Sequence, residues 1–347
     1  MSARGVWFTG PREIELRSEE LRAPGEGEVL LEGVTSLISA GTEMNVYRGD
    51  IGSAEELVLP TSRGDFPFPV QYGYQVVARV AERGPGVADL AVGDHVFAVH
   101  GHQDAFVMPV SVPGAAGPRQ IVTRVPDGVS PERAAFQNLL AVALNGLLDQ
   151  PVRFGDVALV SGLGVVGSFA GWLARRTAGA LVLVDPLAAR RERAAWIGAD
   201  AVVAPEDAVA AVLELSGGRG ADVAVEASGA PRALQTAIGA TGHEGTIVVL
   251  SYYGTREVPL VLSPEFHYKR QRIVSSMVAT VGSGLQPRWD RARRTAAAFE
   301  LLRGIDVAPL VSHRLPFAEA AEAYRLVDES PADTLGVLLE YGDRTAV

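Results

Sequence analysis

A glycine-rich run near the middle of the chain has the residue types and spacing of a phosphate-binding turn. It follows the apolar run VALVS. In such a turn the first glycine permits a tight bend, the second lets the backbone approach a pyrophosphate, and the third lets a helix pack closely on a strand. The free N–H groups at the start of that helix would bind the phosphates. The six residues of the run are Gly162, Leu163, Gly164, Val165, Val166 and Gly167.

An acidic residue farther along makes the run specific for a dinucleotide. Asp185 stands 18 positions after Gly167, at the end of the next apolar run, where such cofactors place their adenosine ribose. A carboxylate there can accept hydrogen bonds from both ribose hydroxyls and repels a 2′-phosphate, which favours NAD(H). Arg190 and Arg191 lie just beyond it and could reach a phosphate. NADP(H) therefore stays open.

The surrounding pattern predicts the elements that must position these residues. From residue 156 onward, short apolar runs alternate with helical segments, and six of them could be strands of a parallel sheet covered on both faces. Because the carboxyl ends of such strands face the ligand crevice, polar residues after the later strands should also line the cofactor site. These residues are Ser228, Ser251 and Tyr252.

The remaining parts of the chain have a different pattern. Residues 1–128 consist mostly of short predicted strands separated by glycine and proline turns, and residues 286–347 return to mixed helix and strand. Ser130-Pro131 is a typical start for a helix that opens the central part. We therefore predict an α/β protein with a doubly wound domain over residues 129–285. The two flanking segments together would form a β-rich second domain.

Composition excludes several classes of function. The 347 residues carry a formal net charge of −10, whereas a nucleic-acid partner would require a basic face. The absence of cysteine excludes disulfides and thiolate zinc sites. Residues 157–174 are uncharged, but their glycines and the strand–helix pattern argue against a membrane span. With no secretory leader, a cytoplasmic location is expected.

Over essentially its whole length the sequence resembles the medium-chain dehydrogenase/reductase superfamily. The resemblance implies a Rossmann doubly wound parallel sheet plus a β-rich GroES-like catalytic domain, a small-molecule substrate and a homodimer. Within the superfamily the sequence is most similar to a zinc-free branch that contains bacteriochlorophyllide a dehydrogenase-like proteins. The segments that carry it are SAGTEMNVYRGD (39–50), PVQYGYQVVARV (69–80), GVADLAVGDHVFA (86–98), VPDGVSPERAA (125–135), GAD (198–200) and FHYKRQRIVSSMVAT (266–280).

At the positions where zinc-dependent members hold their catalytic metal, this chain departs from the family. Ala40 stands in place of the cysteine, Tyr74 in place of the histidine, and Asn138 in place of the third ligand. These side chains do not make a tetrahedral zinc site, so no zinc is expected. His100 and His102, which lie where a structural-zinc lobe would be, are expected to be ordinary loop residues.

The resemblance also implies what chemistry remains without a metal. Tyr74, Thr42 and Asn138 would line the substrate pocket, with Asn45 where some relatives have a relay histidine and Glu43 holding the pocket together. A tyrosine is protonated at neutral pH, so it suits a proton donor in carbonyl reduction better than a base. The predicted reaction interconverts a ketone and a secondary alcohol on a biosynthetic substrate, sugar- or cyclitol-like or a tetrapyrrole side chain.

Two other functions stay open from the sequence. Zinc-free relatives also reduce quinones or enones, and a protein that lost its metal could bind NAD(H) without catalysis. Polar residues in the later segment could border the substrate, and three of them could bind an anionic group. Those three are His267, Lys269 and Arg270, and the others are Tyr253, Arg288 and Trp289.

Overall fold

The structure, a computed structural model, describes residues 1–50, 58–114 and 118–342. The chain divides into two compact units. The first comprises Met1–Gln137, Phe299–Val307 and Val311–Val347, and the second comprises Asn138–Ala298 and Ala308–Leu310. The chain thus passes between units near residues 137 and 298, whereas the sequence pattern placed these changes near 128 and 285.

The first unit is rich in β-structure, as predicted. Its strands alternate apolar and polar residues and are separated by turns, which is the pattern of sheets that bury one face. Up to residue 124 its elements are β1 (Ser2–Gly10), β2 (Glu13–Glu20), β3 (Glu28–Ile38), α1 (Thr42–Arg48), β4 (Arg63–Gly64), β5 (Val70–Gln71), β6 (Val76–Arg83), β7 (His95–Ala98), β8 (Ala105–Pro109), β9 (Ser111–Val112), β10 (Arg119–Gln120) and β11 (Val122–Arg124).

A proline-started helix leads from the first unit into the second. Ser130 caps it by accepting a hydrogen bond from the Arg133 N–H at 3.3 Å, and the first helical residue is Pro131, as the sequence predicts. The single helix expected there is two helices that meet at Phe136. They are α2 (Pro131–Ala135) and α3 (Gln137–Asp149).

The second unit is a doubly wound parallel sheet. All six strands predicted from the apolar runs are present, with four α-helices between the first five strands and one short α-helix before the last. The elements are β12 (Val157–Ser161), α4 (Val165–Ala174), β13 (Ala180–Val184), α5 (Ala188–Arg193), β14 (Ala201–Val203), α6 (Ala208–Ser216), β15 (Ala221–Glu226), α7 (Pro231–Ala240), β16 (Thr241–Val249), α8 (Glu265–Tyr268), β17 (Arg272–Ser275) and α9 (Arg291–Gly304), the last of which ends in the first unit.

The strand order of this sheet is β14-β13-β12-β15-β16-β17, with every neighbouring pair parallel. The order reverses between β12 and β15, which creates a crevice at their carboxyl ends. This confirms the predicted Rossmann fold. The uncharged residues 157–174 become a buried strand, the glycine turn and a helix, and no helix in the described chain is long and apolar enough to cross a membrane.

The C-terminal segment completes the first unit. It supplies β18 (Val311–Pro316), α10 (Ala320–Glu329) and β19 (Gly336–Glu340). Strand β19 pairs with β3, so that a seven-stranded sheet of order β11-β7-β6-β3-β19-β18 forms, with β8 also on β3. Helix α10 inserts Tyr324 against Phe8 and Tyr47, with ring centroids 5.2 and 5.3 Å away. This aromatic cluster joins the two ends of the chain in one core.

The segment PVQYGYQVVARV is not one continuous strand. Strand β5 ends at Gln71 in a four-stranded sheet with β1, β2 and β4, and β6 begins at Val76 in the seven-stranded sheet. The four residues between them carry the chain from one sheet to the other. Gly73 has φ +143°, and a Cβ there would lie 3.1 Å from the Cα of Gly101. A glycine is therefore required where the chain bends.

Burial of His100 gives the first unit a pH-dependent stability. Its ring stacks on Phe106 with centroids 4.0 Å apart, and Nδ1 lies 2.8 Å from the carbonyl oxygen of Gly101. Burial lowers the pKa of His100 to about 4, because the charged imidazolium is poorly solvated there. Between that pKa and the unfolded value near 6.5, the unfolded chain binds more protons than the folded one.

We therefore expect the free energy of unfolding to fall as the pH drops from about 6.5 to about 4, by up to about 3 kcal/mol from this group. A His100→Phe variant should lose that part of the pH dependence while it keeps the ring stack. Urea unfolding at pH 7 and pH 4.5 measures the difference. The exposed His243→Asn variant serves as the control, and equal pH slopes in wild type and His100→Phe would contradict the assignment.

Candidate active site

The glycine turn of the second unit is held by close backbone contacts. Gly162 has φ +92°, and a Cβ there would lie 2.6 Å from the backbone nitrogen of Ser228. A Cβ on Gly167 would lie only 1.7 Å from the carbonyl oxygen of Gly162. Both positions therefore require glycine, one for the bend and one for the approach of α4 to its strand.

Gly164 is glycine for a different reason. Its backbone is extended, with φ −66° and ψ −178°, and nothing lies within 4 Å of the position a Cβ would take. It stands at the start of the ten-residue helix α4, where no side chain caps the first N–H groups. Open space and unpartnered N–H groups at a helix N-terminus fit the pyrophosphate of a dinucleotide.

Asp185 lies beside this turn, as its spacing predicts. Its Oδ2 accepts a hydrogen bond from the Leu163 N–H at 2.8 Å, and its Oδ1 accepts one from the Leu187 N–H at 2.9 Å. The carboxylate is 2% exposed, and the Arg190 Nη1 lies 3.9 Å from Oδ2. Arg191 donates instead to the carbonyl oxygens of Asp185 and Pro186. The acid thus ties the glycine turn to the end of β13 and keeps lone pairs for ribose hydroxyls.

A second buried carboxylate organises the other side of the crevice. Glu226, at the end of β15, accepts hydrogen bonds on Oε1 from the Ser228 N–H at 2.7 Å and the Gly229 N–H at 3.0 Å. Its Oε2 accepts one from the Tyr253 hydroxyl at 2.7 Å. A Cβ on Gly229 would lie 3.7 Å from the Cβ of Ser251. The predicted neighbours Ser228 and Ser251 therefore meet at one edge of the sheet, with the glycine turn beside them.

Tyr252 lies next to Ser251 and is 36% exposed. Tyr253, which the sequence suggested as a substrate contact, is instead bound to Glu226. Burial, and then this contact, raise the pKa of Tyr253 above the ordinary value for a phenol. The sequence places Glu226 at the end of the apolar run ADVAVE, next to the expected cofactor neighbours, but it does not show that this acid binds Tyr253.

The first unit places Tyr74 where its hydroxyl meets two other hydroxyls. The Tyr74 hydroxyl donates to Ser39 Oγ at 2.7 Å, and Thr42 hydrogen-bonds the same phenol. Ser39 and Thr42 flank the turn between β3 and α1, whereas Tyr74 comes from the bend between β5 and β6. Burial, and then the charge of Glu43, raise the pKa of Tyr74 above that of a free phenol, which keeps it protonated at neutral pH.

Glu43 lies below this turn and is fully buried. Its Oε2 accepts the Ser39 N–H at 3.0 Å, and its Oε1 lies 2.8 Å from Nε2 of His102. The Tyr324 hydroxyl of α10 also donates to Oε1. Three donors from three parts of the chain therefore hold one carboxylate, which is what a buried acid requires.

His102 was expected to be a loop residue, and it has more contacts than most residues on a loop. It does lie on the loop after β7, but its side chain is 0% exposed and both ring nitrogens are bonded. The sequence gives no local signal for this role, because the partners Ser36 and Glu43 are 66 and 59 residues away. His100 is buried as well and does not contact this acid in the described hydrogen bonds.

The other predicted residues fall into two groups. Asn45 is half-buried on α1, and Asn138 is half-buried on α3 in the second unit. The proposed anion-binding cluster does not converge. Lys269 points at the carbonyl oxygens of Gly239 and Thr241, both at 3.4 Å, and Arg270 pairs with Glu244 at 3.0 Å.

The donor set of the first unit does not suit a catalytic zinc ion. Ala40 has no donor atom, Tyr74 offers a protonated phenol, and the nearby Glu43 and His102 are bonded to each other. Within residues 1–50, 58–114 and 118–342, no group of three or more His, Asp or Glu side chains is arranged to hold a metal ion. Catalytic zinc in proteins has three such ligands.

Comparison with known proteins finds similar dehydrogenases. A family model described as zinc-binding dehydrogenase matches residues 165–297. A D-guloside 3-dehydrogenase of Shigella flexneri is 29% identical over 345 residues, which cover 94% of this chain and 97% of the relative. The sequence is thus similar to dehydrogenases of the medium-chain dehydrogenase/reductase superfamily, and the matched residues 165–297 lie within the second unit.

Solved structures show the same fold over the whole chain. The crystal structure of 2R,3R-butanediol dehydrogenase from Bacillus subtilis has a TM-score of 0.78 at 19% identity and covers 97% of this chain and 99% of its own. A putative zinc-binding dehydrogenase from Sinorhizobium meliloti, bound to NADP, has a TM-score of 0.76 at 20% identity and covers 98% and 99%. The first unit therefore has the GroES-like fold.

Substitutions of Gly164 and Gly167 should have different effects, one on cofactor binding and the other on stability. In Gly164→Ala the new methyl group meets no protein atom, so the melting temperature should hold while NADH binding weakens about tenfold or more, because the methyl fills the phosphate approach. In Gly167→Ala the backbone clash should lower stability by several kcal/mol. Thermal unfolding and NADH fluorescence titration measure both effects.

Gly284→Ala is the control, because Gly284 is exposed and nothing lies near its Cβ position. Unchanged NADH affinity in Gly164→Ala would show that the pyrophosphate does not lie over this turn.

Proposed function

We propose that this enzyme is a metal-independent, NAD(P)(H)-dependent oxidoreductase that interconverts a ketone and a secondary alcohol, with reduction favoured. The observation that carries the proposal is the phenol of Tyr74. It stands in place of the family's metal-binding histidine, hydrogen-bonded to Ser39 and Thr42 above a buried carboxylate. A protonated donor at that position can stabilise the negative charge that develops on a substrate oxygen, which is what a metal ion does in zinc-dependent enzymes.

In this mechanism the protein supplies a donor and a fixed geometry. A bound reduced nicotinamide would deliver hydride to the carbonyl carbon. In the free protein the Tyr74 O–H donates to Ser39 Oγ, so on substrate binding it would turn to the carbonyl oxygen and give up its proton as negative charge develops there. We assign to Thr42, which bonds the same phenol, the replacement of that proton. Turnover then leaves a secondary alcohol and a reprotonated tyrosine.

The electrostatics of Tyr74 support reduction over oxidation. Oxidation of an alcohol needs a base, and the raised pKa of Tyr74 leaves almost no phenolate at neutral pH. Ser39 and Thr42 oppose the shift by hydrogen bonding, but burial and Glu43 outweigh them. A neutral donor is therefore ready for a carbonyl oxygen, and the alkoxide that forms is basic enough to take its proton.

Metal independence rests on the residues of the first unit. The zinc-binding dehydrogenase model matches only residues 165–297, a segment that contains none of positions 40, 74 and 138. Its description therefore carries no information about the metal ligands of this chain. The alanine, phenol and amide at those positions offer no thiolate, imidazole or carboxylate to zinc.

The preferred coenzyme is NAD(H), with NADP(H) as the alternative. Asp185 presents a buried negative charge where a 2′-phosphate would lie. NADP(H) stays open because Arg190 lies beside Asp185. The structurally similar protein from Sinorhizobium meliloti is bound to NADP. The similarity to a D-guloside 3-dehydrogenase, whose name gives a sugar derivative as the substrate, supports a sugar- or cyclitol-like biosynthetic substrate. A homodimer in the cytoplasm stays a prediction from the resemblance.

Tyr74→Phe should lower kcat for ketone reduction by about 100-fold with little change in KM, because the transition state loses its hydrogen-bond donor. Steady-state kinetics on a panel of keto-sugars and cyclitol ketones measure this. Tyr47→Phe is a matched control, since its hydroxyl reaches only the Arg12 carbonyl at 3.4 Å among the described contacts.

The same preparations should contain far less than one zinc per chain by elemental analysis, and one equivalent would overturn the metal-free mechanism.

NADH should bind about tenfold or more tightly than NADPH, because the Asp185 carboxylate repels the 2′-phosphate. Asp185→Ser removes the charge and should narrow the preference. Fluorescence titration with both coenzymes gives the two dissociation constants for each protein. Tighter binding of NADPH by the wild type would show that Arg190 and not Asp185 determines the choice.

A further inference from the structure

The buried pair of His102 and Glu43 has no part in the reaction as described so far. Nε2 of His102 lies 2.8 Å from Oε1 of Glu43, and both side chains are fully buried. Nδ1 lies 2.7 Å from Ser36 Oγ, which in turn lies 2.9 Å from the Tyr341 hydroxyl. An ionised carboxylate can only accept, so Nε2 carries the proton and Nδ1 accepts from Ser36. Each hydrogen bond in this chain is therefore donated towards Glu43, starting from the Tyr341 hydroxyl.

Glu43 connects this chain of hydrogen bonds to the turn that carries the hydroxyls of Ser39 and Thr42. Its Oε2 accepts the N–H of Ser39, four residues earlier, and so closes the turn between β3 and α1. Ser39 and Thr42 at the two ends of that turn both hydrogen-bond the Tyr74 phenol. The carboxylate thus sets where two of the phenol's partners stand.

His102 also lies close to the bend that carries Tyr74. A Cβ on Gly73 would lie 3.5 Å from Cδ2 of the His102 ring and 3.5 Å from its backbone nitrogen. The bend between β5 and β6 therefore passes near the histidine. His102 is thus linked to the support of the phenol through Glu43 and lies beside Gly73.

We propose that His102 is a positioning residue that holds the Tyr74 hydroxyl in its donor geometry, acting through Glu43 and the Ser39–Thr42 turn. This role rests on the proposed function, because it concerns the same hydroxyl. Without the imidazole N–H, Glu43 Oε1 keeps Tyr324 as its donor and the carboxylate rotates toward it. The Ser39 N–H contact is then strained, the turn shifts, and the phenol loses its alignment with a substrate oxygen.

The test compares matched substitutions of the two neighbouring histidines. His102→Leu should lower kcat by about 10- to 100-fold, the scale expected of a small misplacement of a reacting group, with the NADH dissociation constant unchanged. His102→Gln, whose amide can still donate to Glu43, should restore most of the rate. His100→Leu makes the same change in a buried histidine bonded to Gly101 and should leave kcat unchanged.

A double-mutant cycle distinguishes positioning from a general structural effect. If His102 acts through the phenol, His102→Leu should have little further effect on kcat in a Tyr74→Phe background. An equal loss in both backgrounds would overturn the proposal, as would full activity of His102→Leu. Tyr324→Phe removes another donor from the same carboxylate oxygen with its ring retained, and it takes the place of His102→Leu in the cycle if that variant does not fold.

A structural readout separates this proposal from the proposed function. If the wild type reduces no ketone, crystal structures of wild type and His102→Leu still report the distance from the Tyr74 hydroxyl to Ser39 Oγ. Loss of that contact in the variant supports the positioning role whatever the reaction is. An unchanged contact overturns it.

Discussion

The first unit depends on one buried charge, the carboxylate of Glu43. An unpaired buried carboxylate is costly, so the chain must bring donors to it from distant places. A backbone N–H comes from the end of β3, an imidazole from the loop after β7 and a phenol from α10. The last of these belongs to the C-terminal segment, which explains physically why the chain returns to its first unit.

Buried carboxylates that accept backbone N–H groups also occur twice in the second unit. Asp185 and Glu226 stand at the carboxyl ends of β13 and β15 and accept backbone N–H groups from the glycine turn and from the loop after β15. Each acid fixes a loop that would otherwise expose unsatisfied donors at the crevice. Rigid loops at this edge lower the ordering cost of binding a long, flexible cofactor.

Local patterns predicted much of the fold. The six apolar runs became the six strands of the parallel sheet, and the spacing from Gly167 to Asp185 placed the acid beside the glycine turn. These predictions succeeded because strand periodicity and turn chemistry act over a few residues. The segment around Tyr72 and Tyr74 alternates apolar and polar residues like a strand, but this alternation does not show that its two ends join different sheets.

The alternation of strands and helices in the Rossmann fold and the glycine turn can be predicted from the sequence alone, which also has alanine, tyrosine and asparagine at positions 40, 74 and 138. Only the tertiary structure decided that His102 is buried against Glu43, that Tyr253 serves Glu226, and that Lys269 and Arg270 do not form an anion site. The reason is distance along the chain. A turn or strand is encoded by neighbouring residues, whereas a buried hydrogen bond joins residues whose proximity exists only after the core has formed.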